Sequence, residues 1–210
     1  MDKENMDKEN KEIHVVMFVG FPGCGKTSII SKILEYYKDE YSEYSEYSEY
    51  SIHIIEQDDY YKNEKCDVNG YLNAIDKCIR NILRKDNKNK NIILLGKNHH
   101  TRNSREEVLS ILRSYSLKYT IVNLIPEFFV ISRDRRREDE DERLKYEQYL
   151  SSLLVRIENR TTDSHLSIER ARNVLRHGFM KTYEEPDEPF TRLADDDSVE
   201  VKANIIIKLI

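Results

Sequence analysis

The sequence predicts an α/β fold in which a mostly parallel sheet is covered by helices on both faces. Two observations lead to this prediction. Apolar segments of strand length alternate with segments whose apolar residues recur at helical spacing, and a glycine-rich turn joins the first strand to the first helix. In sheets of this kind, ligands bind beyond the carboxyl ends of the strands. We therefore expect the functional residues to follow the strands.

The first half of the chain contains three predicted strands and two predicted helices. Residues 13–19 and 91–95 are apolar apart from His14 and Asn91, as expected of strands that are buried on both faces, and a shorter strand is predicted between them. The helices are recognised by apolar residues that return every three to four positions. In order, the prediction is strand 13–19, a helix with Ile29, Ile30, Ile33, Leu34 and Tyr37 on one face, strand 51–55, helix 71–83 and strand 91–95.

The second half continues the same alternation. A helix is predicted over residues 104–114 and a strand over 119–125, followed by a long helix and a shorter one. The final run NIIIKLI is apolar enough for a buried strand, so we expect the chain to end in the sheet. The last three predicted elements are therefore helix 140–158, helix 167–177 and strand 204–210.

Length and composition favour a single intracellular domain over residues 12–210. Charged residues make up 35% of the 210-residue chain, but the net charge is only −5, so an anionic partner would have to meet a local basic patch. The three cysteines have no CxxC spacing, which argues against a disulfide framework or a zinc site. No secretory signal and no membrane-length apolar run is present. We expect a cytoplasmic or nuclear protein without a membrane partner.

Two segments are predicted to lie outside the folded core. Residues 1–11 repeat a short charged unit and are expected to form a disordered tail. Residues 39–51 include the low-complexity tract YSEYSEYSEYS, whose period of three matches neither a helix face nor a strand face. This second segment is interpreted as a flexible surface insertion.

The turn after the first strand, GFPGCGKT at residues 20–27, fits the pattern G-x-x-x-x-G-K-[ST] at every fixed position. Its glycines let the backbone curl so that successive N–H groups point inward, and the following helix adds the positive end of its dipole. A lysine at this position reaches the β- and γ-phosphates, and the next hydroxyl binds Mg²⁺. The sequence therefore predicts a phosphate-binding loop (P-loop) with Thr27 as the metal ligand. The predicted nucleotide-binding residues are Gly20, Gly23, Cys24, Gly25, Lys26, Thr27 and Ser28.

Two adjacent acids, Asp58 and Asp59, follow the second predicted strand. A carboxylate at a strand end beside a P-loop suits a general base that takes the proton of an attacking hydroxyl. Because adjacent side chains point in different directions, only one can face the acceptor. We predict Asp58 as this base, with Asp59 in the outer shell of the metal. Tyr60 and Tyr61 are assigned with equal weight to stacking on a base or sugar and to core packing.

Two later segments carry further polar residues. ILLGKNHH, at residues 93–100, resembles a strand ending D-R-N-N-H, in which Asn98 and His100 match while Gly96 replaces the aspartate. RIENRTTDSHLSI, at residues 156–168, is similar to R-x-x-x-R-G-D-N-H-Q-x-I with one residue inserted. Its matching positions include Arg156, Arg160 and His165.

In this order, the P-loop and the two later segments resemble the polynucleotide 5′-kinase domain of fungal-type tRNA ligases. The resemblance implies a P-loop kinase fold with an arginine-bearing lid, formed here by Arg156 and Arg160. It also implies transfer of an NTP γ-phosphate, from ATP or GTP with Mg²⁺, to the 5′-OH of RNA during repair or splicing. Asp59, Asn98, His100 and His165 would contact the substrate. RNA 5′-OH ends would be the partners, along with separate ligase or phosphoesterase proteins.

Two other functions fit the same P-loop. One is a kinase acting on a nucleoside or another small metabolite, which would use the same base and differ only in its acceptor pocket. The other is a nucleotide-binding switch or inactive pseudokinase, a reading suggested by Gly96 at a position where an acid is expected. Asn98 and His100 could equally form a turn and cap the following helix.

Overall fold

The computed structural model describes residues 12–39, 50–62, 65–85, 89–134, 140–159 and 168–210. A 3₁₀ turn covers Gln57–Tyr60, and a π-helical turn covers Leu175–Phe179. In chain order, the strands are β1 (Ile13–Val19), β2 (Tyr50–Glu56), the short β3 (Tyr61–Lys62) and β4 (Lys65–Cys66), β5 (Lys90–Gly96), β6 (Lys118–Asn123) and β7 (Phe190–Arg192). The helices are α1 (Lys26–Asp39), α2 (Val68–Arg84), α3 (Arg102–Ser114), α4 (Glu127–Asp134), α5 (Glu140–Glu158), α6 (Ile168–Val174), α7 (Met180–Thr182) and α8 (Val199–Leu209).

The main sheet has five parallel strands in the order β2-β5-β1-β6-β7. The central strand β1 is apolar from Val15 onward because both of its sides are covered there: Val15, Val16, Met17, Phe18 and Val19 have no exposed surface. Its neighbours are in register at their carboxyl ends, with Met17 opposite Leu95 and Val19 opposite Asn123. The segments that leave β1, β5 and β6 therefore emerge at one edge of the sheet. The α/β fold with a parallel sheet is confirmed.

The helix α2 shows why its sequence pattern was informative. Its buried residues are spaced three or four apart, so they form one stripe along the helix: Tyr71, Ile75, Ile79 and Ile82. Asp67 caps the amino terminus by accepting a hydrogen bond from the Gly70 backbone at 2.8 Å.

The predicted last strand is wrong, since the final segment forms the helix α8. Ser198 caps this helix by accepting a hydrogen bond from the Val201 backbone at 3.2 Å. The helix packs on α1 and buries Ala203 and Ile206. An apolar run cannot by itself distinguish a buried strand from a buried helix. The position beside β6 is instead taken by the short strand β7, which the sequence pattern does not reveal.

The two segments predicted to lie outside the core are largely beyond the described residues. This holds for the tail at 1–11 and for residues 40–49 of the low-complexity tract. The ends of the predicted insertion, however, belong to regular elements: Asp39 lies in α1, and Tyr50 and Ser51 lie in β2. Among the helices that are described, none has the length and apolar character that crossing a bilayer requires.

Candidate phosphate-binding site

The loop between β1 and α1 has the backbone conformation of a phosphate cradle. Gly23 and Gly25 have φ angles of 84° and 92°, in a region that other residues rarely adopt. The Cys24 backbone N–H donates to the Phe21 carbonyl at 3.2 Å, and the Ile29 N–H makes the first helical bond to Gly25 at 3.0 Å. The loop therefore curls directly into the positively polarised amino terminus of α1.

The side chains of the loop are divided between the core and the open side. The Lys26 ammonium donates to the Phe21 carbonyl at 2.9 Å and to the Cys24 sulfur at 3.4 Å. An ammonium has three donors, so one remains for a phosphate oxygen. Thr27 and Ser28 are exposed in the first turn of α1. The predicted nucleotide-binding residues are therefore brought together as the motif requires.

Cys24 has a packing role in this loop. Its side chain is only 6% exposed, and its sulfur would lie 2.5 Å from a Cβ placed on Gly20. The sulfur thus occupies the space that a side chain at position 20 would need. The Cys24 thiol is therefore used for packing and is not available to a phosphate.

The helix α5 rests against the loop at Gly23. A Cβ on Gly23 would lie 2.8 Å from the Leu153 carbonyl oxygen and 3.2 Å from the Ile157 side chain. Arg156, one of the two predicted lid arginines, is exposed in the last turn of this helix. Arg160 and His165 lie outside the described residues, so their predicted roles remain predictions.

The two predicted acids lie at the carboxyl end of β2. Asp58 and Asp59 are both exposed in the 3₁₀ turn that follows this strand. This position is open to an acceptor.

Glu56 is an acid of this site that sequence reasoning missed. It is the last residue of β2 and pairs in register with Gly96, the last residue of β5. Burial raises the pKa of its carboxyl, and the charges of Asp58 and Asp59 raise it further, whereas Lys26 acts in the opposite direction. In the sequence, Glu56 is recognisable as the acid that directly follows the predicted strand 51–55.

The donor set fits a Mg²⁺ ion bound together with phosphates. Within the described part of the chain, no group of three or more His, Cys, Asp or Glu side chains could hold a metal ion alone. Mg²⁺ does not need one, because it keeps several waters and takes few protein ligands beside phosphate oxygens. Thr27 would hold it, and the Glu56 carboxyl supplies an oxygen donor at the strand end, where the Gly96 position has no side chain to offer.

The segment after β5 joins the P-loop to the rest of the site. The Gly20 N–H donates to the Asn98 carbonyl at 2.9 Å, so Asn98 supports the loop through its backbone. The helix-capping role considered for Asn98 and His100 belongs instead to Thr101, which accepts from the Ser104 N–H at 3.2 Å. The preceding His99 is fully buried with a φ of 43°.

His100 lies in the same electrostatic environment as Lys26. Burial lowers its pKa to about 4, and the positive charges of Lys97, Lys26 and Arg105 contribute to this shift. Its imidazole packs edge-on against Phe179, with ring centroids 4.3 Å apart, and its Nε2 lies 3.1 Å from the Thr182 hydroxyl. Lys26 therefore acts on both a carboxyl, at Glu56, and a neutral imidazole, at His100.

A second residue that sequence reasoning missed is Arg105, which is fully buried in α3. Its guanidinium donates to the carbonyls of Glu184 at 2.8 Å and Glu185 at 3.1 Å, and it pairs with the Glu188 carboxylate at 3.3 Å. It also donates to the His99 carbonyl at 3.3 Å. Arg105 thus fastens the segment after α7 to the loop that carries His100. The signal was its spacing: residues 105, 108, 109 and 112 form one buried helical stripe.

Several solved structures share this fold. APS kinase of Mycobacterium tuberculosis, in complex with AMPPNP and APS, is similar with a TM-score of 0.55 and 14% identity, covering 95% of this chain and 98% of that one. Chaetomium thermophilum Kti12, in complex with ADP-AlF3, gives 0.53 and 16%, with 94% and 96% covered. A fungal RNA kinase gives 0.50 and 16%, with 94% and 85% covered.

These similarities confirm the P-loop kinase fold. They do not confirm the narrower assignment to the kinase domain of tRNA ligases, because RNA kinase is only one of several kinases with comparable similarity. Among curated proteins, none matches this chain significantly. The family model for chromatin associated protein KTI12 matches residues 14–192, which include the P-loop, the acids at the end of β2, the end of β5 and α5. The chain belongs to the KTI12 family.

Proposed function

We propose that this chain is a Mg²⁺-dependent phosphotransferase that uses a nucleoside triphosphate, ATP or GTP, as donor. The proposal rests on the loop over residues 20–28, whose positive-φ glycines and Lys26 lie at the amino terminus of α1. An arrangement of this kind binds phosphate groups through backbone N–H donors and a positive charge. The nucleotide complexes named for the similar APS kinase and Kti12 structures support the proposal.

The residues around the loop have distinct roles in this proposal. Lys26 holds the transferring phosphate, and the exposed Arg156 of α5 contributes positive charge as negative charge spreads over that phosphate. Asp58 accepts the proton of the acceptor hydroxyl. A bound Mg²⁺ would neutralise phosphate charge, with Thr27 as its ligand.

The proposed acceptor is the 5′-OH end of an RNA strand. Its support is the resemblance of the segments around Asn98 and Arg156 to polynucleotide kinase domains, together with the shared fold of a fungal RNA kinase. Asp59, His100 and His165 would contact this acceptor. Separate ligase or phosphoesterase proteins would then process the product, as predicted from the sequence.

A transfer assay tests the donor and the acceptor together. Labelled ATP and GTP are each incubated with a 5′-OH oligoribonucleotide and with a panel of nucleosides. Label on the oligonucleotide supports the proposal, whereas label on a nucleoside alone would make this a small-metabolite kinase. Nucleotide binding without transfer to any acceptor would identify a switch or pseudokinase.

Two variants test the assigned roles. Lys26→Ala should lower transfer by at least about 100-fold while the protein stays folded, because it removes the charge that holds the phosphate. Lys32→Ala is the matched control, since Lys32 lies on the same helix and forms an exposed pair with Glu35. Asp58→Ala should lower transfer by about 100-fold or more at unchanged nucleotide affinity. Equal activity of Asp58→Ala and the wild type would remove Asp58 from the mechanism.

A further inference from the structure

We propose that Glu56 supplies, from β2, the carboxylate that supports nucleotide-bound Mg²⁺ at the place where Gly96 of β5 has no side chain. This inference rests on the proposed function, since it assumes that a Mg-nucleotide binds at the P-loop. It concerns a residue that lies outside the P-loop motif and was not among the predicted acids.

The strand next to β1 ends in a glycine. β5 is the immediate neighbour of β1, the strand that leads into the P-loop, and Gly96 is its last residue. In P-loop enzymes, an acid at a strand end assists the P-loop hydroxyl in holding the metal. At Gly96 the strand end beside the P-loop therefore has no donor of its own.

The Glu56 side chain fills the space beside Gly96. Glu56 pairs in register with Gly96. A Cβ on Gly96 would lie 3.1 Å from the Glu56 Cγ and 3.4 Å from its Oε1. The Glu56 side chain thus lies across the end of β5, in the space that a side chain at 96 would take. Neighbouring strands are about 4.8 Å apart, a distance that the two methylene groups of glutamate can span.

Three charged side chains act on the Glu56 carboxyl. Glu56 is partly buried, and Lys26 of the P-loop is close enough to act on it electrostatically. Asp58 and Asp59 also act on Glu56, but both are exposed in the turn that follows β2. Glu56 is therefore the acid of this group whose side chain lies against the end of β5, and its carboxyl is also within the electrostatic influence of the P-loop lysine. A divalent cation placed here would offset the repulsion among the three carboxylates.

The test compares nucleotide affinity with and without the metal. Calorimetry measures the Kd of a non-hydrolysable ATP analogue in Mg²⁺ and in EDTA, and the ratio of the two Kd values reports the metal's contribution. Glu56→Gln should reduce this ratio by about 10-fold. Its affinity in EDTA should be unchanged or higher, because a carboxylate that repels phosphate has been removed. Retained affinity in EDTA also shows that the variant is folded.

A rescue variant provides a second readout. Glu56→Ala should lose the metal dependence, and adding Gly96→Asp in the same chain should restore most of it, because the space against residue 96 is then free for an aspartate. Glu35→Gln is the control, an exposed carboxylate on α1 that should keep the wild-type ratio.

The outcomes separate the two proposals. A wild-type ratio in Glu56→Gln, or an equal fall of the ratio in the control Glu35→Gln, overturns the role of Glu56 and leaves the phosphotransferase proposal intact. Metal-dependent binding that needs Glu56, without transfer to any acceptor, supports this inference and overturns the proposed reaction. Absence of nucleotide binding in both conditions would overturn both.

Discussion

The contact between α5 and the P-loop predicts that two similar glycine substitutions will have different effects on stability. Gly23 and Gly25 both have positive φ angles, 84° and 92°. At Gly23 an added Cβ would meet the Leu153 carbonyl oxygen at 2.8 Å, whereas at Gly25 it would meet nothing within 4 Å. Gly25→Ala is therefore a matched control that carries the backbone strain without the clash.

The magnitudes follow from these two effects. An alanine in the left-handed region costs about 1–2 kcal/mol in either variant. The reduced entropy of the unfolded chain offsets about 0.4–1 kcal/mol in both. Gly23→Ala adds an overpacking cost of about 1–3 kcal/mol, because a backbone oxygen of α5 must move rather than a flexible side chain. We therefore expect Gly23→Ala to be less stable than Gly25→Ala by about 1–3 kcal/mol.

Urea denaturation without nucleotide, followed by far-UV circular dichroism, measures the difference. For a chain of this size, 1 kcal/mol corresponds to a shift of about 2–4 °C in Tm, so thermal melting provides an independent check. Equal stability of the two variants would mean that α5 does not rest on Gly23 in solution. The proposed contribution of Arg156, which is carried by α5, would then lose its structural basis.

Three further outcomes follow from buried polar groups. Arg105→Met should lower the free energy of unfolding by about 3–5 kcal/mol in a urea titration, because it leaves the Glu188 carboxylate and three carbonyls without their donor. The control Arg113→Met, on the exposed side of α3, should cost less than about 1 kcal/mol in the same titration. Similar losses in the two variants would contradict the role of Arg105 in fastening the segment after α7. Asn123→Leu should cost about 2–3 kcal/mol in thermal melting, because its buried amide bonds the Tyr183 hydroxyl at 3.0 Å and the backbone N–H of residue 125 at 3.0 Å. The pKa of His100 is lowered from 6.5 to about 4 in the folded chain. The neutral imidazole therefore contributes its full stability above pH 6.5. This stability is lost as the pH falls towards 4, because the unfolded chain binds the proton more readily than the folded chain does. Between pH 7 and 4.5 the free energy of unfolding should fall by about 1–2 kcal/mol more in the wild type than in His100→Gln, a value reduced for partial exposure to solvent. Parallel pH profiles of the two proteins would contradict this.

Much of the fold was predictable because its signals are local. The apolar run of β1, the glycine turn and the stripe of α1 are contiguous, so one short window of sequence specifies strand, loop and helix together. The stripe of α2 was clear for the same reason. The prediction for the final segment is wrong because its three adjacent isoleucines suit either a buried strand or a buried helix, and only packing against α1 decides between them.

The candidate site divides in the same way. By itself, the sequence determined the phosphate-binding loop, since Gly23, Gly25 and Lys26 act through backbone conformation and a side chain within one turn. Only the tertiary structure decided that Glu56 lies across Gly96 and that Arg105 holds the segment after α7. Both contacts join residues 40 or more positions apart in the chain. Such contacts depend on strand register and helix packing, which no local pattern of residue types encodes.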